Sequence, residues 1–169
     1  DNKIKYLKKI KNLRRNNKFE LFVIDNEKKY LEISKVRLNK YFGQSRSVKF
    51  IYSKNIMSTW NGYLCHEFLK TPKVNPDFIY LDGPDQFNIN NSKKINFNID
   101  HLDLMPMSSD ILKIEFFLVP GTIVVSDGRS ANVEFLLKNF KRDWIHYYDR
   151  DFDQHILYLN SQSLGKLND

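Results

Sequence analysis

The stretch "PDFIYLDGPD", Pro76–Asp85, decides how this chain is read. Phe78, Ile79, Tyr80 and Leu81 run without a polar break into Asp82, and Gly83-Pro84 then turns the chain. A continuous apolar run of this length is the pattern of a strand buried on both faces. An acid at the C-terminal end of such a strand stands where an open α/β sheet keeps its ligands. The plainer alternative is an Asp that caps a turn.

Working outward, two more segments end the same way. "FELFVID", Phe19–Asp25, and "TIVVSDG", Thr122–Gly128, each close on an acid. Between and around them lie helical patterns. Ile4, Leu7, Ile10 and Leu13 form one stripe on a basic N-terminal helix, which Asn16-Asn17 ends. Tyr30, Ile33, Leu38, Tyr41 and Phe42 form another, which Gly43 stops. "SVKFIYS", Ser47–Ser53, reads as a strand, and "NIMSTWNGYLCHEFLK" as partly helical. Residues 86–107 are polar, Asn-rich and irregular, and a connection this long inside a domain is commonly functional or disordered. "SSDILKIEFFL" reads as a helix with Ser108 or Ser109 as N-cap, Pro120-Gly121 breaks it, "SANVEFLLKNF" is helical, and "WIHYYD" and "QHILYLN" form a closing hairpin. Strands alternating with helices predict a mostly parallel sheet with right-handed crossovers. All C-terminal strand ends of such a sheet share one edge, so Asp25, Asp82 and Asp127 are expected together on one rim as a ligand site.

The length of 169 residues suits one domain, 1–169, with 86–107 as an irregular insertion on the substrate side. No apolar run approaches the roughly 20 residues that span a bilayer, and the charged N-terminus is no secretory signal. A cytoplasmic protein without membrane association is the default expectation. The single cysteine, Cys65, has no intrachain partner for a disulfide, and no Cys/His cluster has zinc spacing. The net charge is +7. Lys3, Lys5, Lys8, Lys9, Lys11, Arg14, Arg15 and Lys18 stand against Asp1 alone, so the first 18 residues carry the whole excess. Such a segment is either a solvated helix face or a footprint for nucleic acid or another acidic partner.

In their order and spacing, "FELFVIDNEKKYLEISKVRL", "PDFIYLDGPD", "DILKIEFFLVPGTIVVSDG" and "WIHYYDRDFDQHILYLN" resemble the second strand and helix, the fourth strand, the fifth strand with its preceding helix, and the terminal hairpin of class I S-adenosylmethionine-dependent methyltransferases. The resemblance spans nearly the whole chain. It implies a Rossmann-like, mostly parallel sheet with helices on both faces and a C-terminal antiparallel hairpin. It also marks a departure. The family's first strand and the Gly-rich turn that wraps the cofactor have no counterpart, since all six glycines lie at 43 or beyond. A truncated methyltransferase-like domain is the expectation, with two strand edges left to pair with each other, another segment or another chain, so that an oligomer is one outcome.

The resemblance further implies S-adenosylmethionine as cofactor and a small-molecule methyl acceptor, a sugar among the candidates, methylated on oxygen or nitrogen. Asp25 would hold the ribose hydroxyls, as an ionised carboxylate can accept two hydrogen bonds from a vicinal diol. Asn55 would meet the adenine amino group in place of the family's usual acid, and Ile56 would pack on the ring. Asp82 would sit under the transferred methyl. Metal-dependent members of the family use acids after the fourth and fifth strands. Asp82 and Asp127 fill those places, although Gly128 stands where an Asn is usual, and two carboxylates with water suit a divalent cation. His101, in "NIDHLDLMPM", is the candidate general base, because imidazole titrates near neutrality. His155 and Arg129 are weaker candidates for the substrate side. His66 and His146 read as ordinary helix and strand residues. The rival reading is a non-catalytic α/β binding module that docks nucleic acid through the basic N-terminal helix.

Overall fold

A computed structural model describes residues 19–43, 47–83, 89 and 106–162. Strands are β1 (Leu21–Asp25), β2 (Val48–Tyr52), β3 (Asn55–Trp60), β4 (Tyr63–Phe68), β5 (Phe78–Leu81), β6 (Met107–Ser108), β7 (Ile123–Asp127), β8 (Trp144–Asp149) and β9 (Gln154–Leu159). Helices are α1 (Lys28–Phe42), α2 (Asp110–Ile114), which passes into a 3-10 turn at Glu115–Phe117, and α3 (Ser130–Asn139). The chain divides into two compact units, one holding Glu20–Lys73 and Gly83–Lys113, the other Val74–Asp82 and Ile114–Asp169 together with the N-terminal residues.

This architecture corrects the expected Rossmann-like parallel sheet with helices on both faces. Strand accounts for 38% of the described residues and helix for 27%, and the strands fall into three small sheets of mixed direction. Much of the difference lies in Asn55–Phe68, where a partly helical segment was expected. Asn61 (φ 48°) and Gly62 (φ 84°) both take left-handed backbone, and Trp60 pairs with Tyr63 across them. That is the two-residue hairpin turn for which Asn-Gly is the preferred pair. Cα partners run in antiparallel register from Asn55 with Phe68 to Trp60 with Tyr63. β6 then adds to β4 in parallel, giving the order β3-β4-β6.

In the same unit β1 and β2 pair in parallel, Leu21 with Val48 through Asp25 with Tyr52, and α1 is the crossover between them. Gly43 (φ 73°) ends α1, and its N–H is donated to Asn39 O at 3.1 Å. Leu31 is a buried residue of α1, while Tyr30, Ile33 and Tyr41 of the predicted stripe, and Val36 beside it, are exposed.

The second unit is a four-stranded sheet in the order β5-β7-β9-β8. β5 and β7 run parallel, and β9 lies antiparallel to both β7 and β8. Its fully buried apolar side chains are Leu118, Val124, Val133, Leu136, Leu157 and Leu159. The opening strand is not buried on both faces. Phe78 is 57% and Tyr80 50% exposed, and Leu81 is buried, which makes β5 a half-covered outer strand of this sheet.

Glu115 ties this unit together. It is 1% exposed, yet its carboxylate is satisfied. Oε1 accepts the Lys141 N–H (2.9 Å), the Arg142 N–H (2.8 Å) and the Trp144 indole N–H (3.1 Å), and Oε2 shares the Lys141 N–H at 3.1 Å. The Arg142 guanidinium returns to the carbonyls of Glu115 and Leu118. Removing one partner of such a set leaves the others buried and unpaired. Glu115→Ala is expected to lower the free energy of unfolding by about 3 kcal/mol or more, whereas Phe116→Ala, at an exposed neighbour, changes it by less than about 1 kcal/mol. Urea denaturation of the two variants measures the contrast.

Candidate functional site

In the four-stranded unit the polar chemistry gathers at one end of the sheet. Leu81 is paired with Ser126, so Asp82 and Asp127 are the next residues on two parallel neighbours, β5 and β7. The structure thus brings these two expected acids to a common edge. Tyr80 reaches the same place, its hydroxyl donating to Asp127 Oδ2 at 2.8 Å. That bond, with lesser contributions from partial burial and from the charges of Asp127 and Asp82, raises the Tyr80 pKa. Tyr80 is therefore a neutral donor at physiological pH, and one oxygen of Asp127 is committed to it.

The β8–β9 turn adds to this edge, since Asp127 pairs with Gln154. Gly128 takes φ 58° and donates its N–H to Asp153 O at 2.9 Å. A Cβ at Gly128 would lie 3.3 Å from Asp153 Oδ2, so this position favours glycine on both backbone and steric grounds. Asp153, itself left-handed at φ 50°, accepts the Tyr148 hydroxyl at 2.7 Å. This bond chiefly raises the Tyr148 pKa.

Beside the turn lies a group that sequence reasoning did not assemble: it named His155 as a weaker substrate-side candidate, read His146 as an ordinary strand residue and passed over Ser130. Ser130 Oγ is 2.8 Å from His155 Nε2, and His155 Nδ1 is 2.9 Å from His146 Nε2. Tyr148 stacks on His155 with ring centroids 4.5 Å apart. His155 is buried and Ser130 exposed. Burial first, and repulsion from His155 second, lowers the His146 pKa. His146 is opposite Leu157 and Tyr148 opposite His155, so these side chains share one face of the hairpin. The available signal was the "HYYDRDFDQH" spacing, which places two histidines diagonally across a four-residue turn.

In the other unit, Asp25 ends β1 just ahead of α1. Its Oδ1 accepts the Glu27 N–H at 2.8 Å, and its carbonyl accepts the Ser53 N–H at 3.0 Å. Asp25 thus closes a turn onto Glu27, and a carboxylate with room for about four hydrogen bonds keeps capacity for hydroxyl groups. Asn55, the expected adenine contact, is the first residue of β3 and is 0% exposed. Ile56 beside it is half-buried and pairs with Glu67. His66 is a buried residue of β4, not of a helix. Asp25 and Asp82 belong to different sheets and different units. His101 and the basic N-terminal segment lie outside the described residues. No group of three or more His, Cys, Asp or Glu that could hold a metal occurs among the described residues, which leaves Asp82 and Asp127 as a pair. No helix among the described residues is long and apolar enough to cross a membrane.

The most perturbed carboxyl in this unit is Asp110, at the start of α2. It accepts the Phe68 N–H at 3.1 Å and the Ser108 hydroxyl at 3.0 Å, which ties α2 to the end of β4. Burial outweighs these bonds and pushes its pKa from 3.8 up to about 6. Lys113 forms an ion pair with Glu67 nearby. Cys65 is fully buried, and burial raises its thiol pKa, so it is a packed thiol and not a thiolate nucleophile.

No family model matches the chain, and neither a curated protein nor a solved structure matches it. The functional reading therefore stands on these local geometries.

The buried carboxyl of Asp110 makes stability depend on pH. Its native pKa lies above the unfolded value, so between pH 3.8 and about 6 the native state binds more protons than the unfolded state. Stability is expected to fall as pH rises through that window and to level off above it. Asp110→Asn keeps an acceptor for Phe68 and should flatten the slope, removing a change on the order of 2 kcal/mol. Denaturation midpoints across that pH range measure it.

Proposed function

We propose that this chain is a methyltransferase that uses S-adenosylmethionine to methylate an oxygen or nitrogen of a small molecule, with sugars among the candidate acceptors. The observation that carries the reading is the β1–α1 junction. There an acid, Asp25, ends a strand that enters a helix and returns in a parallel neighbour. An ionised carboxylate in such a position suits the two vicinal hydroxyls of a nucleoside ribose. The resemblance of the sequence segments supports the same cofactor. The reading rests on that junction and those segments, not on the Rossmann-like sheet, which the structure corrects.

The chemistry asks little of the protein beyond alignment and a proton acceptor. The acceptor's lone pair attacks the methyl carbon, the carbon–sulfur bond breaks, and the neutral thioether leaves. The protein holds the two reactants in line and takes the acceptor's proton. In this proposal Asp25 holds the ribose hydroxyls, and Asn55 and Ile56 of the same unit stand on the adenine side. A divalent cation on Asp82 and Asp127 is the less favoured variant.

Titration calorimetry with S-adenosylhomocysteine tests it. The chain is expected to bind, and Asp25→Asn to weaken binding about tenfold, close to 1.4 kcal/mol. Asn can still accept the Glu27 N–H through its amide oxygen, so the substitution separates the ribose role from the capping role. Absence of binding, or equal affinity of the Asn variant, would reject the proposal. Tight, steeply salt-dependent RNA or DNA binding without cofactor binding would favour the nucleic-acid module instead.

A further inference from the structure

We propose that Ser130, His155 and His146 form a nucleophilic serine site that attacks small esters. The three are linked atom to atom: Ser130 Oγ to His155 Nε2 at 2.8 Å, and His155 Nδ1 to His146 Nε2 at 2.9 Å. A hydroxyl is a weak nucleophile until an adjacent base takes its proton, and the base works when a third group fixes its tautomer. His146 Nε2 can be that group. As an acceptor it holds the proton of His155 on Nδ1, which leaves His155 Nε2 free to accept from Ser130. His146 can serve only while neutral, and the lowering of its pKa by burial and by His155 keeps it so near neutral pH.

The surroundings fit the roles. Ser130 is exposed and therefore open to a substrate, while His155 is 7% exposed and screened from bulk water. The Tyr148 ring stacked on His155 fixes the imidazole plane. Ser130 is the first residue of the ten-residue helix α3, which follows β7 after the left-handed turn at Gly128. The first intrahelical bond there runs from the Val133 N–H to the Arg129 carbonyl. The Ala131 N–H, next in sequence to Ser130, precedes that ladder, and the proposal gives it the part of oxyanion donor.

The reaction balances with water as the only co-reactant. Ser130 Oγ bonds to the acyl carbon and its proton passes to His155 Nε2. The acyl carbon–oxygen bond breaks, and the departing alkoxide takes that proton to leave as the alcohol. Water then attacks the acyl-serine and gives a proton to His155. The Oγ–acyl bond breaks, the proton returns to Oγ, and the carboxylic acid is released.

A fluorophosphonate reagent and p-nitrophenyl acetate test the site on the full chain. One adduct, mapped by mass spectrometry to Ser130, and an initial burst of p-nitrophenol are expected. Ser130→Ala should lose both, and His155→Asn should slow labelling by at least about 100-fold. His146 acts through His155, so its role is that of a positioning residue. His146→Phe should slow labelling by about tenfold or more, and His146→Gln, whose amide oxygen can accept the same bond, should recover most of that loss. His146 lies on the exposed strand β8, so these two variants decide the matter even where His155→Asn does not fold. No adduct on Ser130, equal labelling of His155→Asn in a folded state, or equal loss in both His146 variants would overturn the proposal. None of these outcomes depends on binding of S-adenosylhomocysteine.

Discussion

The four-stranded unit depends on one buried negative charge. Glu115 gathers two backbone N–H groups and an indole N–H from the segment 141–144, which leads into β8. A carboxylate at 1% exposure is tolerable only because those donors replace the water it has lost. The Arg142 guanidinium closes the loop by capping carbonyls in the Glu115–Leu118 turn, so each chain segment satisfies polar groups of the other. This knot fixes where β8 begins. The placement of β8 in turn carries His146 and Tyr148 to His155, which makes the polar edge of the sheet a downstream product of a structural acid.

The same edge shows how residues distant in sequence come to share one chemistry. Tyr80 arrives on β5, Asp127 and Ser130 on the β7–α3 connection, and Asp153 and His155 on the last hairpin. Tyr80 meets Asp127, Ser130 meets His155, His155 meets His146, and Tyr148 meets Asp153. Tyr80 is held neutral by Asp127, and His146 by burial and His155. An edge with neutral donors, a carboxylate pair and an imidazole chain differs from the three-acid rim anticipated from strand ends. Asp25 belongs to the other unit, ahead of α1, where its carboxylate accepts the Glu27 N–H.

Much of the element map was legible. The helix of Lys28–Phe42 with its Gly43 stop, the strands before Asp25, Asp82 and Asp127, and the closing hairpin follow from apolar period and turn residues. The error over Asn55–Phe68 was of another kind: its apolar positions were given a helical reading although Asn61-Gly62 carried a hairpin signature. That substitution of a hairpin for a helix, together with the pairing of β6 to β4, breaks the single parallel sheet into three. The site was less legible because its geometry is set by register. The hairpin spacing of "HYYDRDFDQH" could have paired His146 with His155, with His146 opposite Leu157, but Ser130 joins them from α3, and no local pattern states that contact.

The run Phe78-Ile79-Tyr80-Leu81 is apolar on both sides, so burial alone distinguishes its two possible seatings poorly. Shifting it one place along β7 would exchange Ile79 and Leu81 for Phe78 and Tyr80 on the covered side, at small hydrophobic cost. What discriminates is polar and sits at the extremities: the Asp77 carbonyl takes the Ile123 N–H, and the Tyr80 hydroxyl donates to Asp127. Alignment of this strand is therefore governed from its ends, like a plank pegged rather than glued. Exchange of one apolar residue for another in its interior leaves those end contacts, and so the alignment, in place.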